Sequence, residues 1–266
     1  MKAEVTKIEW KKSLEIKMID WQNWLDEKVE KRSEKGSHIE KEPFTFHPSQ
    51  LGYCKRQAYL SKLGIKKHDN KTLRIFEVGN LFHEYIQDLI KESDNENRFE
   101  IEKPLTTEVP STNDITLVGH CDLFDNKLNI VYDFKTRKNW NYFEPPEERH
   151  MIQLHLYQYM LWRKLLNNDG IDKSDSIHGQ VVYICKSDME IRQYPKNNLE
   201  SFNPQIKSLE SYDLAKSALE KANDIGLEIE ENGLPTCKSE IPFSHCECWV
   251  CKQEKKNNEE LLFNHL

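Results

Sequence analysis

Two aspartates and a lysine on consecutive predicted strands constrain this chain more than any other feature. Asp133 and Lys135 follow Asp122 by eleven and thirteen residues. Residues 128–135 alternate as a β-strand does, so Asp133 and Lys135 point to the same face. Residues 114–124 are also predicted to form a strand, and the short link between the two predicts an antiparallel hairpin. Asp122 is therefore expected beside the other two charges.

Two carboxylates at such short range indicate a bound cation. They repel each other unless a positive charge lies between them, and hard divalent ions such as Mg²⁺ take oxygen ligands. An ammonium group beside that ion, here Lys135, could orient a water molecule or stabilise negative charge on a phosphate oxygen. The alternative is an exposed hairpin with three surface charges, and these residues alone leave it open.

An amphipathic helix is predicted upstream, over residues 72–91. Its apolar stripe is predicted to contain Ile75, Val78, Phe82, Tyr85 and Leu89. Gly79 costs this helix about 1 kcal/mol relative to alanine, and it lies one turn before His83, where it would clear space for the imidazole. An imidazole beside two carboxylates suits Mn²⁺ or Mg²⁺, although a lone histidine is more often a packed or surface residue.

A second long helix is predicted downstream, over residues 147–168, with its end before Gly170. Gln153 and Tyr157 lie four residues apart on it and therefore project from one face. An amide and a phenol at this spacing could hold a phosphate, the lysine or a nucleobase. A simple pair on the helix surface is the alternative.

Six of the seven cysteines fall into two groups. Cys121 and Cys185 lie in apolar segments and are expected to be small buried hydrophobes. Four others crowd together near the C-terminus: Cys237, Cys246, Cys248 and Cys251. Such crowding without a secretory signal indicates a metal rather than disulfides. Four thiolates suit Zn²⁺ or an iron–sulfur cluster, and the ligand type does not distinguish the two.

Four motifs give the chain its resemblance to the RecB-type nucleases of the PD-(D/E)XK superfamily. They follow one another in the order Gly79 with His83, Gly119 with Asp122, Asp133 with Lys135, and Gln153 with Tyr157. The resemblance implies an α/β fold with a restriction-endonuclease-like core, in which helices flank a mixed β-sheet. It implies hydrolysis of DNA phosphodiesters with Mg²⁺ or Mn²⁺. The implied metal ligands are His83, Asp122, Asp133 and the Phe134 carbonyl, and the implied catalytic group is Asp122, Asp133, Lys135, Gln153 and Tyr157.

Cys54 extends this resemblance. The segment around it, residues 48–59, is similar to the one that carries the first cysteine in iron–sulfur RecB-type nucleases, among them the CRISPR-associated Cas-four family. That similarity implies a 4Fe-4S cluster on Cys54, Cys246, Cys248 and Cys251, with Cys237 as a competing ligand and Zn²⁺ as the alternative metal. Such a clasp closes a loop of roughly 190 residues and so removes entropy from the unfolded chain.

The predicted organisation has three parts. An N-terminal amphipathic helix and linker occupy residues 1–45, the nuclease core with its cysteine clasp occupies 46–251, and a charged tail occupies 252–266. The predicted function is a DNA exonuclease acting on single strands, in CRISPR adaptation or in DNA repair and replication, with CRISPR integrase proteins as candidate partners. The alternative is a catalytically silent nuclease-fold protein that binds DNA or assembles with partners around a structural metal.

Composition sets the broad class. A hydrophobic content of 37% and a charged content of 31% are typical of a soluble globular protein. No apolar run approaches the roughly 18 residues of a membrane span, and no signal peptide opens the chain, so a cytoplasmic location is expected. The net charge of −7 disfavours indiscriminate binding to duplex DNA.

Overall fold

The computed structural model of the protein describes residues 20–36, 42–63, 68–94, 96–109, 115–141, 146–167, 172, 175–196, 199–203 and 210–231. The helices are α1 (Trp21–Gly36), α2 (Pro48–Leu51), α3 (Lys55–Lys62), α4 (Asn70–Ser93), α5 (Glu148–Asn167) and α6 (Glu210–Glu230). The strands are β1 (Thr45–Phe46), β2 (Phe99–Val109), β3 (Ile115–Asp125), β4 (Ile130–Arg137), β5 (Ile177–Cys185), β6 (Ile191–Tyr194) and β7 (Glu200–Phe202).

The seven strands form one mixed sheet. β2 pairs antiparallel with β3 along the whole length of β3, so β1 and β4 share the other edge of that strand. β4 runs parallel to β5, and β5 pairs antiparallel with both β6 and β7. The β3–β4 hairpin is the one predicted from the alternating sequence. The predicted α/β class with a mixed sheet is confirmed.

Helices cover both faces of the sheet. The larger buried cluster joins the sheet to α5 and α6, and the smaller one joins it to α4. β4 shows how the alternating sequence divides between them: Val131 belongs to the larger cluster, whereas Tyr132 and Phe134 belong to the smaller. This alternation is the one expected for a strand. The sheet is therefore packed between two layers of helices.

The apolar stripe predicted for α4 is wrong in most of its members. Ile75, Val78, Tyr85 and Leu89 are between 41% and 50% exposed. The side chains that pack on the smaller cluster are instead those of Phe82, Ile86 and Ile90. Apolar residues occur around much of this helix, so periodicity alone could not identify the buried face.

The N-terminal helix is described from Trp21 to Gly36. It contacts α4, and the ion pairs Asp26–Arg74 and Arg32–Glu77 join the two helices. Residues 1–19, the cysteine segment 237–251 and the tail 252–266 lie outside the described residues. Within the described part of the chain, no helix has the length and apolar character needed to cross a bilayer.

Candidate active site

The site forms where strands β3 and β4 separate. In these two strands, backbone pairing joins residues 123–125 to residues 130–132 and goes no further. Beyond that point β3 stays paired with β2, while β4 continues along β5. The Asp122 side chain takes the place of the lost backbone partner, since its Oδ2 accepts a 2.6 Å hydrogen bond from the N–H of Phe134. The two aspartates therefore lie at a fork in the sheet.

Asp133 and Lys135 form an ion pair at this fork. Lys135 Nζ donates a 2.8 Å hydrogen bond to Asp133 Oδ1 and lies 2.7 Å from Oδ2. The Asp133 side chain is completely buried, and its Oδ2 accepts no hydrogen bond of good geometry from the described residues. A buried carboxylate oxygen with unused lone pairs is a position where a cation or a water molecule is stabilised.

The pKa of each carboxylate is raised because the protein buries it. Burial raises the pKa of Asp122 to about 6, against the opposing effect of Lys135. Burial also raises the pKa of Asp133 to about 6, and the nearby charge of Asp122 adds to that effect. One lysine thus does not compensate two buried carboxylates. A divalent cation would supply the missing positive charge, so this donor chemistry fits Mg²⁺ or Mn²⁺.

His83 approaches the same place from α4. Its Nδ1 lies 4.0 Å from Asp122 Oδ2, and its ring stands edge-on to the Phe134 ring with centroids 6.1 Å apart. Burial and then the charge of Lys135 lower the pKa of His83. The imidazole is therefore neutral near pH 7, which is the form that ligates a metal.

These groups are close but do not yet form a coordination sphere. Across the described ranges, no three His, Cys, Asp or Glu side chains lie near enough together to hold one ion. Asp122 is held by the Phe134 N–H and Asp133 by Lys135. Binding of a cation therefore has to draw the carboxylates and the imidazole closer together.

Gly79 allows α4 to lie directly against β4. A Cβ atom at this position would be 3.1 Å from Thr136 Oγ1 and 3.8 Å from Lys186 Nζ. The glycine therefore clears space for the sheet rather than for the imidazole, contrary to the prediction from the sequence. Lys186, which follows β5, donates a 3.1 Å hydrogen bond to the Ile75 carbonyl. Its charge helps, after burial and Lys135, to lower the pKa of His83.

Gln153 and Tyr157 face the carboxylates from α5. Burial raises the pKa of Tyr157 well above its usual value, and the charges of Asp122 and Asp133 raise it further, so the phenol stays protonated. Gln153 lies close enough to the Tyr157 hydroxyl to lower its pKa in part. A Cβ at Gly119 would lie 3.3 Å from the Tyr157 hydroxyl, which explains why a glycine precedes Asp122 by three residues.

Glu102 is a third carboxylate near the site, and the sequence analysis missed it. It has a left-handed φ of 49°, and the β2–β3 register, which continues unchanged on both sides of it, puts it opposite Asp122. The Gln87 amide donates a 2.6 Å hydrogen bond to its Oε1. After burial, the Glu102 charge is among the causes that raise the pKa of Asp122. No sequence motif marks it, because its place opposite Asp122 is set by the pairing of β2 with β3.

A cavity of about 350 Å³ opens beside Lys135. Its walls come from α2, the turn after α2, α4, β4 and the start of α5, and they include Gln50, Tyr53, Phe76, Arg149, His150 and Gln153. Lys135 and Gln153 were predicted from the sequence as site residues. The others were not, because they come from separate segments of the chain.

The described cysteines divide as the sequence predicts. Cys121 and Cys185 are fully buried, and burial raises the pKa of Cys121 to about 12, so it is a thiol rather than a metal-binding thiolate. Cys54 is half-buried and occupies the position before the first residue of α3. The remaining predicted ligands lie outside the described residues: Cys237, Cys246, Cys248 and Cys251.

Comparison with known proteins identifies a family and a similar fold. A sequence profile of the PD-(D/E)XK nuclease superfamily matches residues 92–251, more than half of the chain. The crystal structure of SSO0001 is similar, with a TM-score of 0.51 and 19% sequence identity, and the match covers 86% of this chain and 94% of that one. At this identity the likeness shows the fold alone. A search of curated proteins finds no match.

Proposed function

This chain belongs to the PD-(D/E)XK nuclease superfamily, and on that premise we propose that it is a divalent-metal-dependent deoxyribonuclease of the RecB type. One observation carries the proposal: Asp122 and the Asp133–Lys135 ion pair lie side by side where β3 and β4 separate. The alternative of a catalytically silent protein predicts a missing ligand or lysine, and the sequence retains all of them.

The proposed roles follow from position and charge. A divalent cation bound by His83, Asp122 and Asp133 would neutralise the scissile phosphate and lower the pKa of a water molecule. Lys135, whose side chain is 18% exposed, orients the attacking water and balances the negative charge that develops on the phosphate. We retain the Phe134 carbonyl as a further proposed ligand.

The opposite wall of the proposed site supplies hydrogen-bond donors. Tyr157 is protonated and buried next to the carboxylates, and Gln153 lies beside its hydroxyl. Gln153 also lines the cavity beside Lys135. These two residues therefore position the carboxylates and the substrate, and we propose no proton transfer through them.

We propose that the substrate is single-stranded DNA, degraded from an end. The net charge of −7 disfavours strong attraction to any duplex. An assay with end-labelled single-stranded DNA, duplex DNA and RNA of one sequence tests this. Cleavage of the single-stranded DNA is expected with Mn²⁺ or Mg²⁺ and none with EDTA.

The matched variant for that assay is Asp133→Ala, which is expected to abolish cleavage because it removes a proposed ligand and the partner of Lys135. The control is Asp88→Ala, which changes an exposed aspartate of α4 that pairs only weakly with Lys91. Full activity in Asp133→Ala would remove the proposed site. Equal losses in both variants would show that the assay reports general damage.

Activity is expected to depend on pH through the two carboxylates. At Mn²⁺ concentrations below saturation, the cleavage rate should fall as the pH is lowered through about 6, because protonation of Asp122 and Asp133 competes with the metal. The two groups interact, so the apparent pKa belongs to the pair. Raising the Mn²⁺ concentration should shift the midpoint to lower pH. A rate that is constant from pH 7 to pH 5 would contradict this.

We propose a 4Fe-4S cluster on Cys54, Cys246, Cys248 and Cys251, by similarity to the Cas-four family. A positive charge supports a thiolate at Cys54, since Lys221 lies close enough for the two charges to interact and donates to the carbonyls of Leu51 and Tyr53. Protein purified without oxygen is expected to be brown and to contain iron, and Cys54→Ser should lose both properties. A colourless preparation containing zinc would favour the alternative metal.

The biological setting is proposed from the same resemblance. CRISPR adaptation with integrase proteins is one setting, and DNA repair or replication is the other. Integrase genes beside this one would support the first. The expectation of a cytoplasmic location rests on composition and thiol content, and it stays a prediction.

A further inference from the structure

We propose that the cavity beside Lys135 binds one unstacked nucleotide of a DNA strand, adjacent to the phosphate that is cleaved. This inference rests on the function proposed above and adds a substrate subsite to it. Aromatic rings, the Arg149 guanidinium and the Lys135 amine, from separate parts of the chain, meet in this cavity, and this combination suits a nucleotide. The subsite would also explain a preference for single strands.

The size of the cavity limits what can enter it. A volume of about 350 Å³ lies at the lower end of the range for small-molecule pockets, which is about 300–1,000 Å³. A base stacked and paired inside a duplex cannot enter a recess of this kind unless it is first extruded. A single strand can place a base there without that cost. The amine of Lys135 lies in the cavity wall, so an inserted nucleotide would place its phosphate next to the proposed metal site.

Two aromatic side chains supply surfaces on which a base can stack. Phe76 lies on α4 and is 48% exposed, although it is large and apolar. Tyr53 follows α2 and forms another part of the wall. Phe76 stands edge-on to the His68 ring, with centroids 5.0 Å apart, and about half of the side chain remains accessible to a base. Stacking of a base on an aromatic ring raises affinity by about 5- to 150-fold per base.

The same cavity carries positive charge that can hold a phosphate. Arg149 Nε lies 2.6 Å from Glu147 Oε2, and Arg137 pairs with the same carboxylate, so two guanidinium groups share one negative charge. Arg149 also lies over the Tyr53 ring, 5.6 Å from its centroid.

The pKa of His150 shows the effect of the same cations. Its pKa is lowered to about 2, first by burial and then by the charges of Lys135, Arg149 and Arg137. Its Nδ1 lies 2.9 Å from the Tyr183 hydroxyl, which fixes the ring in the wall. Arg137 and Arg149 together carry one positive charge more than Glu147 neutralises, and this charge can pair with a phosphate of the strand.

Binding of oligonucleotides with single abasic positions tests the subsite without cleavage. Fluorescence anisotropy in EDTA would give the affinity for a labelled 12-nucleotide single strand in which one base at a time is removed. For the wild-type protein, one position is expected to lose about 5- to 150-fold in affinity. In Phe76→Ala the intact strand should bind more weakly by a similar factor, and the effect of that abasic position should disappear.

Tyr85→Ala is the matched control, because Tyr85 is an aromatic residue of the same helix with 50% exposure but does not line the cavity. It should keep the full abasic effect. Arg149→Gln should reduce the slope of log affinity against log salt by about 0.7, as expected for one lost phosphate contact on a single strand.

An abasic scan with no sensitive position, or a sensitive position unchanged in Phe76→Ala, would overturn the subsite. Cleavage with Mn²⁺ is measured on the same preparations. A flat scan with intact cleavage would reject the subsite and leave the proposed nuclease function standing. A position-specific scan without cleavage would support the subsite and reject the nuclease function.

Discussion

Replacement of Lys135 by methionine is expected to reduce the rate of single-stranded DNA cleavage by about 10²- to 10⁴-fold. Methionine keeps the unbranched shape of the side chain but removes the ammonium group that lies 2.7 Å from Asp133 Oδ2. In the proposed mechanism that group orients the attacking water and balances negative charge on the phosphate. Single-turnover rates at saturating Mn²⁺ would measure this loss without interference from product release.

The control for this variant is Lys127→Met. Lys127 lies in the turn of the same hairpin, pairs with Glu96 and has a side chain that is 54% exposed. Exposed ion pairs contribute little to stability, so neither folding nor cleavage should change. If Lys135→Met cleaves DNA at the rate of Lys127→Met while both proteins are folded, the lysine has no part in the reaction.

Replacement of Asp122 by asparagine is expected to abolish stabilisation of the protein by Mn²⁺ without weakening the metal-free fold. In the wild-type protein, Mn²⁺ at a hundred times its dissociation constant should add about 2.7 kcal/mol of stability. This corresponds to a rise in melting temperature of roughly 5–10 °C for a chain of this size. The amide oxygen of asparagine can still accept the bond from the Phe134 N–H, but the negative charge is gone.

The direction of the change in stability of the metal-free protein follows from the pKa of Asp122. Asp122 has a pKa of about 6 in the folded protein, above its usual value of 3.8, so the folded state binds its proton more tightly than the unfolded state. This group therefore destabilises the metal-free protein as the pH rises from 4 to 6. At pH 8 the Asp122→Asn protein should be more stable than the wild type by on the order of 1–3 kcal/mol. The difference should shrink towards pH 4.

Asp125 provides the matched control with the opposite sign. It lies three residues further along β3 and is fully buried, but Arg98 and the N–H groups of Lys127 and Leu128 donate to it. Although burial alone would raise its pKa, these bonds lower the pKa below the usual value. Asp125 therefore stabilises the fold above the unfolded pKa, and that contribution is lost as the pH falls through the lower, folded value.

Asp125→Asn should therefore lose about 1–3 kcal/mol at pH 8 and keep the full response to Mn²⁺. Thermal melts of both variants at pH 5 and pH 8, with and without Mn²⁺, measure all of these effects. An Asp122→Asn protein that gains as much from Mn²⁺ as the wild type would show that the metal binds elsewhere.

The sequence predicts the hairpin of the site because the pattern that specifies a hairpin lies within a few consecutive residues. Alternation in residues 128–135 assigns faces to Asp133 and Lys135, and the short turn fixes the direction of the next strand. The fork between the strands is not local. It depends on the pairing of β3 with β2 and of β4 with β5, and neither pairing is encoded in the hairpin itself.

The cavity is a clearer case of a feature that local sequence patterns cannot predict. Tyr53, Phe76 and Arg149 come from three segments that no periodicity connects, and each alone is an ordinary aromatic or charged residue. The buried face of α4 was misassigned for a related reason. Its apolar residues exceed what one face can bury, so only packing against the sheet selects Phe82, Ile86 and Ile90.

The most direct measurement is the anomalous diffraction of Mn²⁺ in crystals of the protein. A peak is expected between the Asp122 and Asp133 carboxylates, with His83 Nδ1 or Nε2 as a further ligand at about 2.0–2.2 Å. Lys135 is expected beside the site but outside the coordination sphere. No peak at saturating Mn²⁺, or a peak bound by residues other than these, would contradict the proposed metal site.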